Sequence, residues 1–105
     1  MTPQSISVNV EEDRALVALA GEHEAFAADK LARQLRALLD EGVALTIDLG
    51  HATFIDSTVV GVLLAAQRRA EQAGLPFVLR LGEHTGWPVR RLLEVTGLES
   101  QFHVA

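Results

Sequence analysis

The sequence predicts an α/β domain, a mainly parallel five-stranded sheet with an antiparallel first edge strand and helices packed on one face. Three observations carry that expectation. Hydrophobic spacing switches repeatedly between a period of two and a helical period. Glycine or proline stands where the helical stretches stop. After the first pair of strands, each connection is long enough to hold a helix, as parallel pairing requires.

The elements follow in order. Ser5 to Val10 reads S-I-S-V-N-V, the strict alternation of a half-buried strand. Glu11-Glu12-Asp13 is a polar turn, and Ala15 to Ala20 is a second strand that such a short connection makes antiparallel to the first. Gly21 to Glu24 reads as a polar loop. From about Phe26 to Asp40 the period is helical: Ala28, Leu31, Ala32, Leu35, Leu38 and Leu39 share a face, with Lys30, Arg33 and Arg36 away from it. Gly42 ends that helix.

Ala44 to Leu49 is the next strand, and Thr53 to Ile55 a short extended or loop segment leading into Asp56. A second helix spans about Thr58 to Ala73, stopped by Gly74 and Pro76. Phe77 to Leu81 is a strand. Pro88 suits the first turn of a third helix that runs to about Thr96 and ends at Gly97. Phe102 to Val104 closes the order β-β-α-β-α-β-α-β. Leu31, Leu35, Ile47, Leu49, Val60, Leu63, Val78 and Leu92 are the expected core.

The 105 residues are expected to form one domain, 1–105. Hydrophobic residues make up 49% and charged residues 22%, enough for a core under an ordinary solvated surface. Fourteen acidic residues against nine basic ones give a net charge of −5, which disfavours a nucleic-acid surface. The longest apolar run, Val59 to Ala66, is far too short for a membrane span, so no direct membrane insertion is expected. No secretory signal is readable at the start, and a cytoplasmic location is the default expectation. The absence of cysteine excludes disulfides and thiolate zinc sites. Glu22-His23-Glu24 lacks partners at metal-ligand spacing and reads as a solvated loop. No nucleophile elbow, phosphate loop or zinc helix occurs, so neither catalysis nor a cofactor is expected.

The segment from Leu45 to Gly74, L-T-I-D-L-G-H-A-T-F-I-D-S-T-V-V-G-V-L-L-A-A-Q-R-R-A-E-Q-A-G, resembles the signature region of STAS domains. There an apolar strand runs into a loop and an Asp-Ser-Ser/Thr-Gly-Leu motif opens a helix. Asp56-Ser57-Thr58 matches the first three motif positions; Val59-Val60 replaces the usual Gly-Leu. Val17 to Glu22 resembles the family's second strand with its Gly-Glu exit. Val89 to Phe102 resembles its third helix, Gly-Leu turn and last strand. The ordered set covers nearly the whole chain and resembles the anti-sigma factor antagonist type.

That resemblance implies a protein that binds a serine-kinase anti-sigma factor and so regulates sigma-dependent transcription. The kinase would phosphorylate Ser57, or less readily Thr58, and a phosphatase would restore binding. The alternative is a STAS accessory subunit of a membrane transporter or multiprotein sensor that is never phosphorylated. Val59 either points into the core or crowds the docking surface.

The residues themselves allow a plainer reading of the motif: Asp56 or Ser57 caps the second helix. Capping by Asp56 and modification of Ser57 are compatible. A phosphate adds about −1.5 to −2 charges, which a helix N-terminus accommodates. At about 100° per residue, Ser57, Gly61, Leu64 and Arg68 share one side of the second helix, and Val60, Leu63, Ala66 and Ala70 another, assigned to the core. Gly61 either clears space beside Ser57 or packs closely on the sheet, and Leu64 is either an apolar anchor or core. With Asp56, Thr58, Glu22 and Glu24 these residues form the expected partner surface. Trp87, before Pro88, reads as a hydrophobic staple, or if exposed as an interface residue.

Overall fold

In a computed structural model the chain is described over residues 5–23, 25–95, 97 and 102–104, with side chains omitted at 25–27, 103 and 104. The elements are β1 (Ser5–Glu11), β2 (Arg14–His23), α1 (Ala25–Asp40), β3 (Ala44–Ile55), α2 (Ser57–Gln72), β4 (Phe77–Arg80), α3 (Trp87–Val95) and β5 (His103–Val104). The sheet has four strands of at least four residues and a two-residue β5 at one edge, in the order β1-β2-β3-β4-β5. β1 pairs antiparallel with β2, and every later pairing is parallel.

Alternation decides which face is buried. Ala15, Val17 and Leu19 of β2, Leu45, Ile47 and Leu49 of β3, and Phe77 and Leu79 of β4 are buried, while their neighbours in between are partly exposed. Leu31, Leu35 and Leu39 of α1 and Val60, Leu63, Ala66 and Ala70 of α2 belong to the same core cluster. Two expected core residues differ. Val78 lies between Phe77 and Leu79 and so faces the opposite side of β4, half-buried. In α3 the buried pair is Val89 and Leu93, four apart on one face, which leaves Leu92 half-buried beside it.

β2 and β3 are longer than their periodicity indicated. β2 continues through Gly21, Glu22 and His23, so the expected polar loop is strand up to His23; Glu24 lies outside the described residues. β3 runs unbroken to Ile55 because it absorbs two irregularities. The partner of Ala18 is Asp48 but that of Ala20 is His51; the partner of Gly21 is Ala52 but that of Glu22 is Phe54. Each step places one extra residue in β3, the signature of a bulge. Each also shifts the buried phase, from Leu49 to Ala52 and then to Ile55. At the first, the Gly50 N–H donates to the Asp48 carboxylate at 2.8 Å.

The loop after β4 is fastened to this irregular stretch. The buried Thr85 hydroxyl donates to the Leu49 carbonyl at 2.8 Å and accepts from the Gly82 N–H at 2.9 Å. The Gly86 N–H donates to the Ala52 carbonyl at 2.8 Å. A Cβ on Gly86 would lie 2.7 Å from the Thr53 Cα and 2.8 Å from its carbonyl carbon, so only glycine fits that contact. α3 starts directly after this seam. Its first residue, Trp87, is 70% exposed, so the indole does not act as a staple. Thr96, where α3 was expected to end, lies outside the described residues.

Candidate functional site

Asp56 is the hinge between β3 and α2. Its backbone is extended, φ −102° and ψ 177°, the geometry of a residue preceding a helix. Hydrogen bonds through its N–H, its carbonyl and its carboxylate hold it. Its N–H donates to the His23 carbonyl at 3.2 Å. Its carbonyl accepts from the Val60 N–H at 3.1 Å, the first bond of the helix. Its carboxylate accepts from the Val59 N–H at 3.0 Å. Asp56 is thus the cap, and Ser57 is the first helical residue, one position earlier than expected.

That assignment leaves Ser57 exposed at a helix start, with Thr58 exposed beside it. The N–H groups of both belong to the first turn and have no partner within the helix. Val59, at the motif position where glycine is usual, is only 1% exposed. Its side chain is in the core and does not crowd Ser57. The two open placements of Val59 therefore resolve in favour of the interior.

The end of β2 supports the same corner. His23 pairs with Ile55 across β2 and β3 and is 1% exposed, with its Nε2 donating to the Ala20 carbonyl at 2.9 Å. The expected solvated loop around it is thus in part an interior strand end. Sequence reading missed His23, although position 23 continues the alternation of Val17, Leu19 and Gly21. Glu22 is exposed and paired with Phe54, at the same C-terminal end of the parallel strands as Asp56.

Along α2, Gly61 and Arg68 are exposed and Leu64 is half-buried against the core, between the two readings given for it. Gly61 does not pack on the sheet: a Cβ there would meet nothing within 4 Å. Thr58, Gly61 and Arg68 line a groove of about 530 Å³ between α1 and α2, which Ser57 and Leu64 do not line. At one end of this groove the Asp40 carboxylate accepts from Arg69 Nη2 at 2.6 Å and Nε at 3.0 Å. Elsewhere, bulge and loop bring the His51 and His84 rings together, stacked with centroids 5.4 Å apart. Among the described residues no three His, Asp or Glu side chains gather to hold a metal ion, and no helix is long and apolar enough to cross a membrane.

The family model described as "Mlab, STAS domain" matches residues 6–104. The anti-sigma-B factor antagonist of Listeria monocytogenes is 33% identical over 99 residues, covering 90% of this chain and 83% of that protein. The crystal structure of an anti-sigma factor antagonist from Mycobacterium paratuberculosis superposes with a TM-score of 0.82 at 22% identity, covering 97% of this chain and 85% of that one. The phosphorylated form of the Bacillus cell fate determinant SpoIIAA superposes with a TM-score of 0.74 at 18% identity, covering 96% of this chain and 91% of that one. The family and its curated relative define a regulatory binding protein rather than an enzyme. The chain belongs to the STAS domain family and is of the anti-sigma factor antagonist type.

Proposed function

We propose that this protein binds a serine-kinase anti-sigma factor in the cytoplasm, frees the sigma factor that the kinase holds, and is switched off by phosphorylation of Ser57. The observation that carries the reading is the division of labour at the head of α2. Asp56 caps the helix and Val59 is buried, while Ser57 is exposed and its hydroxyl makes no hydrogen bond among the described residues. The kinase would transfer the γ-phosphoryl group of ATP to Ser57 Oγ, with loss of the hydroxyl proton and release of ADP. The added anion suits the first-turn N–H groups and the helix dipole, so the domain stays folded and the change is felt at the interface. A phosphatase would reverse it. The partner surface on this reading comprises Asp56, Ser57, Thr58, Gly61, Leu64 and Arg68, with Glu22 and Glu24 at its border.

The test is calorimetric titration of the cognate serine-kinase anti-sigma factor into wild type, Ser57→Ala and Ser57→Asp. Ser57→Ala is expected to bind as wild type and to take up no phosphate. Ser57→Asp is expected to fold and to bind about tenfold more weakly, an interface loss of about 1.4 kcal/mol. Peptide mass spectrometry after incubation with kinase and ATP separates Ser57 from Thr58. Equal affinities for wild type and Ser57→Asp, with no phosphate at Ser57, would leave the unphosphorylated accessory subunit as the better reading.

A further inference from the structure

We propose that the groove between α1 and α2 extends the partner surface beyond Ser57 and takes an acidic amphipathic segment of the protein partner. The proposal rests on the reading that this domain works by binding a protein; the groove shares Thr58, Gly61 and Arg68 with the surface around Ser57 and adds the α1 wall with Arg36.

The groove follows one stripe of α2 from Thr58 to Gln72 and one stripe of α1 from Ala32 to Leu39. Its floor is apolar: Leu35, Leu39 and Ala66 are buried beneath it, and Val62 is half-buried. Its charged lining is entirely arginine, namely Arg36, Arg68 and Arg69, with no carboxylate among the lining residues. That runs against a chain with 14 acidic and nine basic residues. Arg69 is occupied by Asp40. Arg36 and Arg68 are exposed and carry no ion pair or hydrogen bond among the described residues. An apolar floor between two uncommitted guanidinium groups suits a helix whose apolar side chains enter the groove and whose carboxylates meet Arg36 and Arg68.

Gly61 supplies an independent observation. A glycine inside a helix weakens it relative to alanine, because the backbone is freer in the unfolded chain. Such a glycine usually makes room for a neighbour within the fold. Here a Cβ would meet nothing within 4 Å, so no internal contact accounts for it. The space it leaves opens on the Thr58 end of the groove, next to Ser57. A partner reaching Ser57 can therefore lie close against α2 as it enters.

Two probes test this. The first is a synthetic helical peptide with leucines along one side and glutamates along the other, compared with its lysine counterpart, titrated into isotope-labelled protein. The glutamate peptide is expected to shift the amide signals of Ala32 to Leu39 and Thr58 to Gln72, and the lysine peptide to leave them in place. Arg36→Glu combined with Arg68→Glu is expected to weaken glutamate-peptide binding about tenfold or more. The same shifts from both peptides, shifts confined to another surface, or no shifts at all would overturn the proposal.

The second probe is the cognate kinase itself. Gly61→Ala is expected to raise the unfolding midpoint while lowering kinase affinity, a split that a purely structural role would not produce. Kinase affinity lost in Ser57→Asp but kept in Gly61→Ala and in the double arginine variant would sink the groove, and would leave the phosphorylation switch standing with Gly61 and Arg68 removed from its partner surface. The reverse pattern would uphold the groove and remove the phosphorylation reading.

Discussion

The seam between β3 and the β4–α3 loop and the outward side of α2 both depend on a glycine, for opposite reasons. At the seam, Gly86 is required from within. The backbone of Thr53 occupies the place of its missing Cβ, and its N–H is bonded to Ala52. On α2, Gly61 has open space where a Cβ would be. The first glycine is explained by the fold and the second is not. On the docking proposed for α2, the difference separates a residue that maintains the domain from one that serves what meets it.

Substitutions can break or sharpen that contrast. Gly86→Ala has the largest expected effect, a loss of about 4 kcal/mol, because the new methyl group overlaps backbone that cannot rotate away. A urea titration measures it; a loss below about 1 kcal/mol would show that the seam yields. Leu63→Ala is the inward-facing control on α2 and is expected to cost about 3 kcal/mol from lost burial and the cavity left behind. Asp56→Ala removes the cap bond to Val59 and is expected to cost about 1 kcal/mol by the same titration. Gly61→Ala has the smallest effect and the opposite sign, a gain of about 0.5–1 kcal/mol. Destabilisation by Gly61→Ala would show that the glycine does serve the fold, and the contrast with Gly86 would be lost.

Much of this was legible in the sequence, and the remainder was hidden for identifiable reasons. The apolar stripe of α2 was readable because Val60, Leu63, Ala66 and Ala70 keep strict helical spacing toward one core. The head of α2 was readable because an aspartate before a helical run is a cap signal with a local cause. The second half of β3 was hidden by its own bulges, which shift the buried phase twice between Leu49 and Ile55 and cancel the period of two. His23 was hidden by its chemistry, since a histidine between glutamates reads as solvated until the Ala20 carbonyl is seen to satisfy its ring. The groove could not be read at all. Arg36 was recognised only as facing away from the core, and its proximity to Gly61 and Arg68 arises when α1 packs on α2.

The triple anchoring of Asp56 bears on how binding at this corner will be measured. Residue 56 is fastened through its N–H, its carbonyl and its carboxylate to the end of β2 and to the first turn of α2. Ser57 therefore follows a backbone already held by these bonds, and among the described residues of this corner a partner meets strand ends and a helix start rather than a loop. Little conformational entropy is lost on this side of the interface, so the association rate should reflect diffusion, steering and the partner's own rearrangement. The heat-capacity change on binding should likewise track contact area, and an excess over that area would report folding coupled to binding.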